Sequence, residues 1–166
     1  PVEVTDGAAE AIDAPRDESV DEGSSVALIA EPTIRVGILI VDEETENEIV
    51  VTSTESGYTL EDSDGKIIGT FSAGQKVGAA FDGKSYTFDR GEGTERSSLP
   101  IRFVLTTLHA VMTITNFDRR VTRGTKYANN TFRNVLEIRY NSSKDRTWVI
   151  NELPIEMYLR GIAETS

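Results

Sequence analysis

From Thr33 onward the hydrophobic residues recur with a period of two. In TIRVGILIV, residues 33–41, Ile34, Val36, Ile38 and Ile40 fall on one face and Arg35, Gly37, Leu39 and Val41 on the other, the pattern of a largely buried strand. A charged turn, Asp42 to Glu48, follows it. Short apolar runs then alternate with turn signals: EIVVTS, GYTLED, KIIGTF, KVGAAF and KSYTF, punctuated by Asp64-Gly65, Ala73-Gly74 and Asp82-Gly83. Asp-Gly supplies the positive φ that a two-residue hairpin loop requires, so the stretch reads as antiparallel strands running up and down.

The polar, Gly-rich segment Asp89 to Ser98 reads as a loop leading into a second set of strands. That set comprises PIRFVLTTL, HAVMTITNF, a loop from Asp118 to Asn130, FRNVLEIRY, a turn over Asn141 to Asp145, and RTWVIN. Val135, Leu136 and Ile138 break the alternation, which predicts a bulge or burial on both sides there. Helical spacing enters only after Asn151, where Ile155, Tyr158, Leu159 and Ile162 share a face at steps of three and four. Pro154 suits the first helical position, and Glu156 suits the positive end of the helix dipole. The predicted fold is therefore mainly β: two small antiparallel β units, each a hairpin-rich sheet or half-barrel, followed by one short C-terminal helix. The units are assigned to residues 33–90 and 91–166.

Composition changes this picture only at the front. Residues 1–32 carry nine carboxylates against Arg16 alone, among Ala, Gly, Ser and Pro, the composition of a self-repelling, solvated and disordered linker. A spacer is the plainer reading of it, and an acidic interaction arm the sharper one. The whole chain of 166 residues carries a formal charge of −11, which disfavours nucleic-acid or anionic-membrane partners. Without cysteine it has no disulfide, thiolate ligand or thiol nucleophile. No apolar run is long enough to span a bilayer, and no signal peptide opens the chain, which starts at Pro1 and reads as a processed or excised piece.

The densest motif is the last, WVINELPIEMYLRGIAETS, residues 148–166. It resembles the opening of the SpoIID/LytB domain, the family of stage II sporulation protein D and the amidase enhancers, whose pattern runs Asn-x-Leu-Pro-Leu-Glu-x-Tyr-Leu-x-Gly-Val. Asn151, Leu153, Pro154, Glu156, Tyr158, Leu159 and Gly161 match it. IRVGILIV resembles the strand on which such domains open, VVTSTESGYTLEDSDGKIIG resembles the hairpin that follows, and TFRNVLEIRYN resembles Tyr-Arg-Gly-x-Leu-Glu-Val with Asn134 in place of the glycine. The resemblance spans residues 33 to 166.

The resemblance implies an exported protein of the cell wall or cell surface that acts on peptidoglycan glycan strands, by lytic transglycosylase-type cleavage in the complete protein. Such a reaction needs one carboxyl group, which protonates the departing oxygen and then takes the proton of the sugar's own 6-hydroxyl. It implies no cofactor. The enhancer relatives imply the alternative, a non-catalytic peptidoglycan-binding or amidase-activating module with a cell-wall amidase as partner. Glu164 is the candidate acid, two residues ahead of the position the family uses, and the chain ends before the Ala-rich helix that follows in the family. This chain by itself is therefore expected to be inactive. Tyr158 and Arg160 are the candidate substrate-binding residues.

Each candidate has a plainer role. Glu164, near a chain end, fits a solvated charge; Glu156 fits a helix-dipole partner. Asn151 fits a hydrogen-bonding residue at the strand-to-helix corner. Tyr158 and Trp148 could stack on sugar rings, but core packing fits their apolar pattern better. His109, the single histidine, is expected to be satisfied by neighbours and has no second soft ligand for zinc. Asp62-Ser63-Asp64-Gly65 lacks the later ligands of a calcium loop and reads as a hairpin turn.

Overall fold

The computed structural model describes residues 31–117 and 130–163, with side chains through Gly161. The acidic segment ahead of Glu31, most of the loop expected at 118–130, and Glu164 lie outside the described residues. The fold is mainly β, as the sequence predicts, with one short C-terminal helix.

In chain order the strands are β1 (Thr33–Ile40), β2 (Ile49–Thr52), β3 (Tyr58–Asp62), β4 (Ile67–Phe71), β5 (Lys76–Phe81) and β6 (Tyr86–Asp89). They continue with β7 (Thr94–Ser97), β8 (Ile101–Leu105), β9 (Met112–Ile114), β10 (Thr131–Phe132), β11 (Val135–Asn141) and β12 (Arg146–Pro154). A single helical turn, α1 (Val41–Glu44), occupies the charged turn after β1, and α2 (Ile155–Ala163) follows β12. The strands form two six-stranded antiparallel sheets, ordered β1-β12-β11-β8-β3-β4 and β10-β9-β2-β5-β6-β7.

The two sheets do not follow the two halves of the chain. Each takes three strands from before residue 90 and three from after it, and β6 and β7, on either side of that point, are hydrogen-bonded neighbours. The physical reason is the core. Short strands with one apolar face bury little surface alone, so the two sheets share one cluster. It joins Leu39, Leu60, Phe103, Leu136 and Val149 of the first sheet to Ile49, Val51, Val77, Phe88 and Met112 of the second. Tyr58 lies at its centre, stacked on Phe71 with ring centroids 5.2 Å apart. Its hydroxyl donates to the carbonyls of Gln75 (2.9 Å) and Val51 (3.3 Å), linking the sheets, and burial raises its pKa to about 12.

Strand β1 is less regular than its alternation suggests. Its register against β12 shifts between Gly37 and Leu39, a bulge that turns Leu39 and Val41 into the core although Arg35 and Gly37 face outward. The irregularity expected in β11 takes the second of its two forms: the register is continuous, and Val135 to Ile138 are buried on both sides. Hairpins form at both Asp-Gly sequences, with positive φ at Gly65 and Gly83, but their loops are longer than the two residues expected, since Phe81 pairs with Tyr86 and Glu61 with Ile67. In each, an aspartate accepts two backbone N–H groups across the turn: Asp62 those of Asp64 and Lys66, Asp82 those of Lys84 and Ser85. Those bonds, with Arg96 beside it, hold the Asp82 carboxyl well below the ordinary aspartate range.

Candidate functional site

The sequence motif at the end of the chain folds as a strand, a corner and a helix. β12 alternates along its length, with Thr147, Val149, Asn151 and Leu153 facing the core and Trp148, Ile150 and Glu152 facing out. Inside β12, Asn151 ties the strand to the turn between β10 and β11 by amide hydrogen bonds. Its Nδ2 donates to the carbonyls of Arg133 and Val135, both at 2.8 Å, while Asn134 Nδ2 donates back to the carbonyl of Glu152 at 2.9 Å. Asn134 has φ 67°, a left-handed conformation that asparagine tolerates better than other side chains do. Asn151 makes side-chain hydrogen bonds as expected, but from within β12 to the β10–β11 turn and not at the strand-to-helix corner.

Helix α2 starts directly at the end of β12, and its first turn is held by the segment ahead of β1. Ile155 N donates to the carbonyl of Pro32 at 3.0 Å, and Glu156 N donates to Glu31 Oε1 at 2.8 Å. A carboxylate from outside the helix therefore satisfies one of the open N–H groups at its positive end. Glu156 lies in the first turn as expected, with its own carboxylate 3.5 Å from Arg160 one turn on. The remaining face of α2 is thinly covered: Leu159 is 55% exposed.

Between α2, the corner and the 108–109 turn lies an open groove of about 630 Å3. Asn151, Leu153, Pro154, Glu156, Tyr158 and Gly161 of the motif line it, as does Arg160. The structure thus brings the two predicted binding residues, Tyr158 and Arg160, to one groove. Tyr158 is half-buried along the wall, which leaves part of its ring available for stacking. Arg160 is exposed, with 78% of its side-chain surface open.

Several groove residues are not marked as ligand-facing by the sequence, among them His109, Arg133 and Glu31. His109 was expected to be satisfied within a strand; it lies instead on an exposed turn and lines the groove, because the HAVMTITNF run forms a strand only over Met112–Ile114. Arg133 and Glu31 reach the same groove from segments flanking β10 and β1. No local pattern marks Glu31, and Arg133 is marked only as a match in TFRNVLEIRYN; the antiparallel pairing of distant segments brings both there. Trp148 is not in the groove. It was expected in the core, but its position in β12 points it outward, and it is half-buried on the other face of the first sheet.

Among the described residues no group of three histidine or acidic side chains is placed to share a metal ion. No helix among them is long and apolar enough to cross a membrane, which says nothing of β-barrels. No family model, no characterised protein and no solved structure matches the chain.

Proposed function

We propose that this chain belongs to an exported cell-wall protein that engages peptidoglycan glycan strands in the groove beneath α2, in the manner of SpoIID/LytB domains. The observation that carries this reading is the convergence of the terminal motif on one groove: Asn151, Leu153, Pro154, Glu156, Tyr158 and Gly161 all line it. A further support is Asn134, which takes a positive φ at the position where the family pattern has glycine. In this reading Tyr158 stacks against a sugar ring, Arg160 and Arg133 donate to its polar groups, and Glu164 is the acid for lytic transglycosylase-type cleavage.

A second reading, a non-catalytic glycan-binding or amidase-enhancing module, is favoured by the acids of the groove. Glu31 accepts a helix N–H, and Glu156 is paired with Arg160, so both carboxylates have structural partners. One experiment separates the two. The full-length protein is sedimented with purified sacculi and, in parallel, incubated with glycan strands stripped of peptides, and the products are analysed for anhydro-muramic ends. Cosedimentation with such ends, abolished by Glu164→Gln, supports the enzyme; cosedimentation without them supports the module. Absence of both sinks the peptidoglycan reading altogether.

A further inference from the structure

The outward face of the first sheet carries a second concavity, of about 270 Å3, on the opposite side from the core. Arg35 and Gly37 of β1, Trp148 and Ile150 of β12, and Arg139 and Asn141 of β11 line it. The strand pairing sets this arrangement. Arg139 stands opposite Trp148, Gly37 opposite Ile150, and Arg35 opposite Glu152. The absence of a side chain at Gly37 leaves room for the indole, since a Cβ there would lie 3.2 Å from Trp148 Cε3 and 3.4 Å from Cζ3. The ring therefore lies low over β1, half-buried, as a flat floor to the concavity.

The arginines beside that floor share buried and half-buried carboxylates. Glu137, only 2% exposed, accepts Arg35 Nη2 and Arg139 Nε, each at 2.5 Å. Glu152 is shared between Arg102 at 2.9 Å and Arg35 at 3.5 Å. Three guanidinium groups thus share two carboxylates, while Arg146, two residues before Trp148, is paired with Asp42 and Glu43, and Glu61 stands opposite Arg102. Arg102 also keeps a buried Nε with no hydrogen-bond partner among the described residues. Arg35 and Arg139 are still 43% and 45% exposed at the edge of the concavity, and the contact between Arg139 and Glu137 runs through Nε. The two arginines are held in place from behind by a common buried carboxylate, so little side-chain freedom is lost when they bind a second anion.

We propose that this platform binds a single sugar ring bearing a carboxylate, as part of a glycan. The indole floor takes the C–H face of the ring, the outer nitrogens of Arg139 and Arg35 take the carboxylate in the forked geometry that guanidinium groups favour, and Asn141 Nδ2 donates to a ring hydroxyl. The volume suits one ring, being below the roughly 300 Å3 at which sites for larger ligands begin. A nucleic acid is disfavoured because its dense phosphates would meet the acidic remainder of the chain, whereas a glycan presents its carboxylates singly. The platform involves none of the groove residues and stands whether or not the peptidoglycan reading holds.

Trp148 is the only tryptophan in the chain, so its fluorescence reports on this platform directly. The full-length protein, with any further tryptophan outside this chain replaced by phenylalanine, is titrated with tri-galacturonic acid, with its methyl ester and with inorganic phosphate. A saturable change with the acid is expected, with the ester weaker by about tenfold or more and phosphate weaker still. Arg139→Gln should weaken the acid by about tenfold while thermal unfolding stays cooperative. Gly37→Val, which raises the floor beneath the indole, should abolish the response. Tyr158→Ala should leave it intact. Equal binding of acid and ester would remove the carboxylate from the proposal, and phosphate binding as well as the acid would remove the sugar. No saturable change with any probe, or an unchanged response in folded Arg139→Gln, overturns the platform itself.

Discussion

The groove and the platform sit on the same strand, β12, yet they are held by different means. The platform residues Trp148 and Ile150 lie on a strand paired on both sides, with the edge strand β1 on one side and β11 on the other, and a crossed set of ion pairs fixes the arginines around them. The groove lies where that sheet ends. One of its walls is a nine-residue helix tied at its start by two backbone N–H groups to Glu31 and Pro32, with a half-exposed Leu159 on its far side. Side chains in a strand paired on both sides inherit the rigidity of the ladder, whereas a helix at the end of a sheet with an exposed face shifts at smaller cost. The platform is therefore the preformed site of the two and the groove the adjustable one.

The largest test of this contrast is to remove what both sites share. Leu136, fully buried in β11, packs in the common core, and Leu136→Ala should cost about 3 kcal/mol through lost burial and the cavity left behind. Urea unfolding followed by Trp148 fluorescence should show that loss as one transition, because the platform cannot survive separately from the sandwich. Two separated transitions would mean that the first sheet has stability of its own.

Alkaline pH should act through Tyr58, which links the sheets. Its pKa rises to about 12 in the fold from the ordinary 10.0, so the folded state holds the proton more tightly than the unfolded chain does. The stabilisation is complete below pH 10 and falls as the pH climbs from about 10 to about 12, by roughly 2–3 kcal/mol at 1.36 kcal/mol per pKa unit. Denaturant midpoints measured across that range should decline in the wild type and stay flatter in Tyr58→Phe. A decline of equal steepness in Tyr58→Phe would assign the alkaline sensitivity to another group.

Much of this fold is legible in the sequence because it rests on local rules. Period-two alternation marks the strands, and Asp-Gly marks two hairpins through the backbone conformation that glycine allows. The exchange of strands between sheets is not legible, because alternation says which face is buried and not which strand lies alongside. The bulge after Gly37 is also hidden, since Ile38, Leu39 and Ile40 are all apolar and permit either face. Of the candidate site, Asn151, Tyr158 and Arg160 are visible through a linear motif. Glu137 is not, because its neighbours Arg35 and Arg139 come together only by strand pairing, and a glutamate between Leu136 and Ile138 looks solvent-facing until Arg35 covers it.

The next test separates the two sites. Asn151→Ala removes the donor that serves the carbonyls of Arg133 and Val135 in a position only 7% exposed, and should cost about 1–2 kcal/mol. The damage should concentrate at the turn between β10 and β11, with faster amide exchange at 133–135 and through α2, while Trp148 keeps its native emission. Loss of the native Trp148 signal under folding conditions would show that this turn supports the platform as well, and the contrast between rigid and adjustable sites would fail.

Arg160→Gln should have the smallest effect and bears most directly on the groove. The pair with Glu156 spans one helical turn at 3.5 Å with both side chains at least 70% exposed, so its loss should change stability by less than about 0.5 kcal/mol. Any larger effect must therefore be on binding. If the groove holds glycan, Arg160→Gln should reduce cosedimentation with sacculi several-fold at unchanged unfolding midpoint, and added salt should weaken the wild type more than the variant. If stability falls while binding to the remaining folded protein is unaltered, Arg160 serves the helix alone and Tyr158 is left as the only predicted ligand contact that the groove retains.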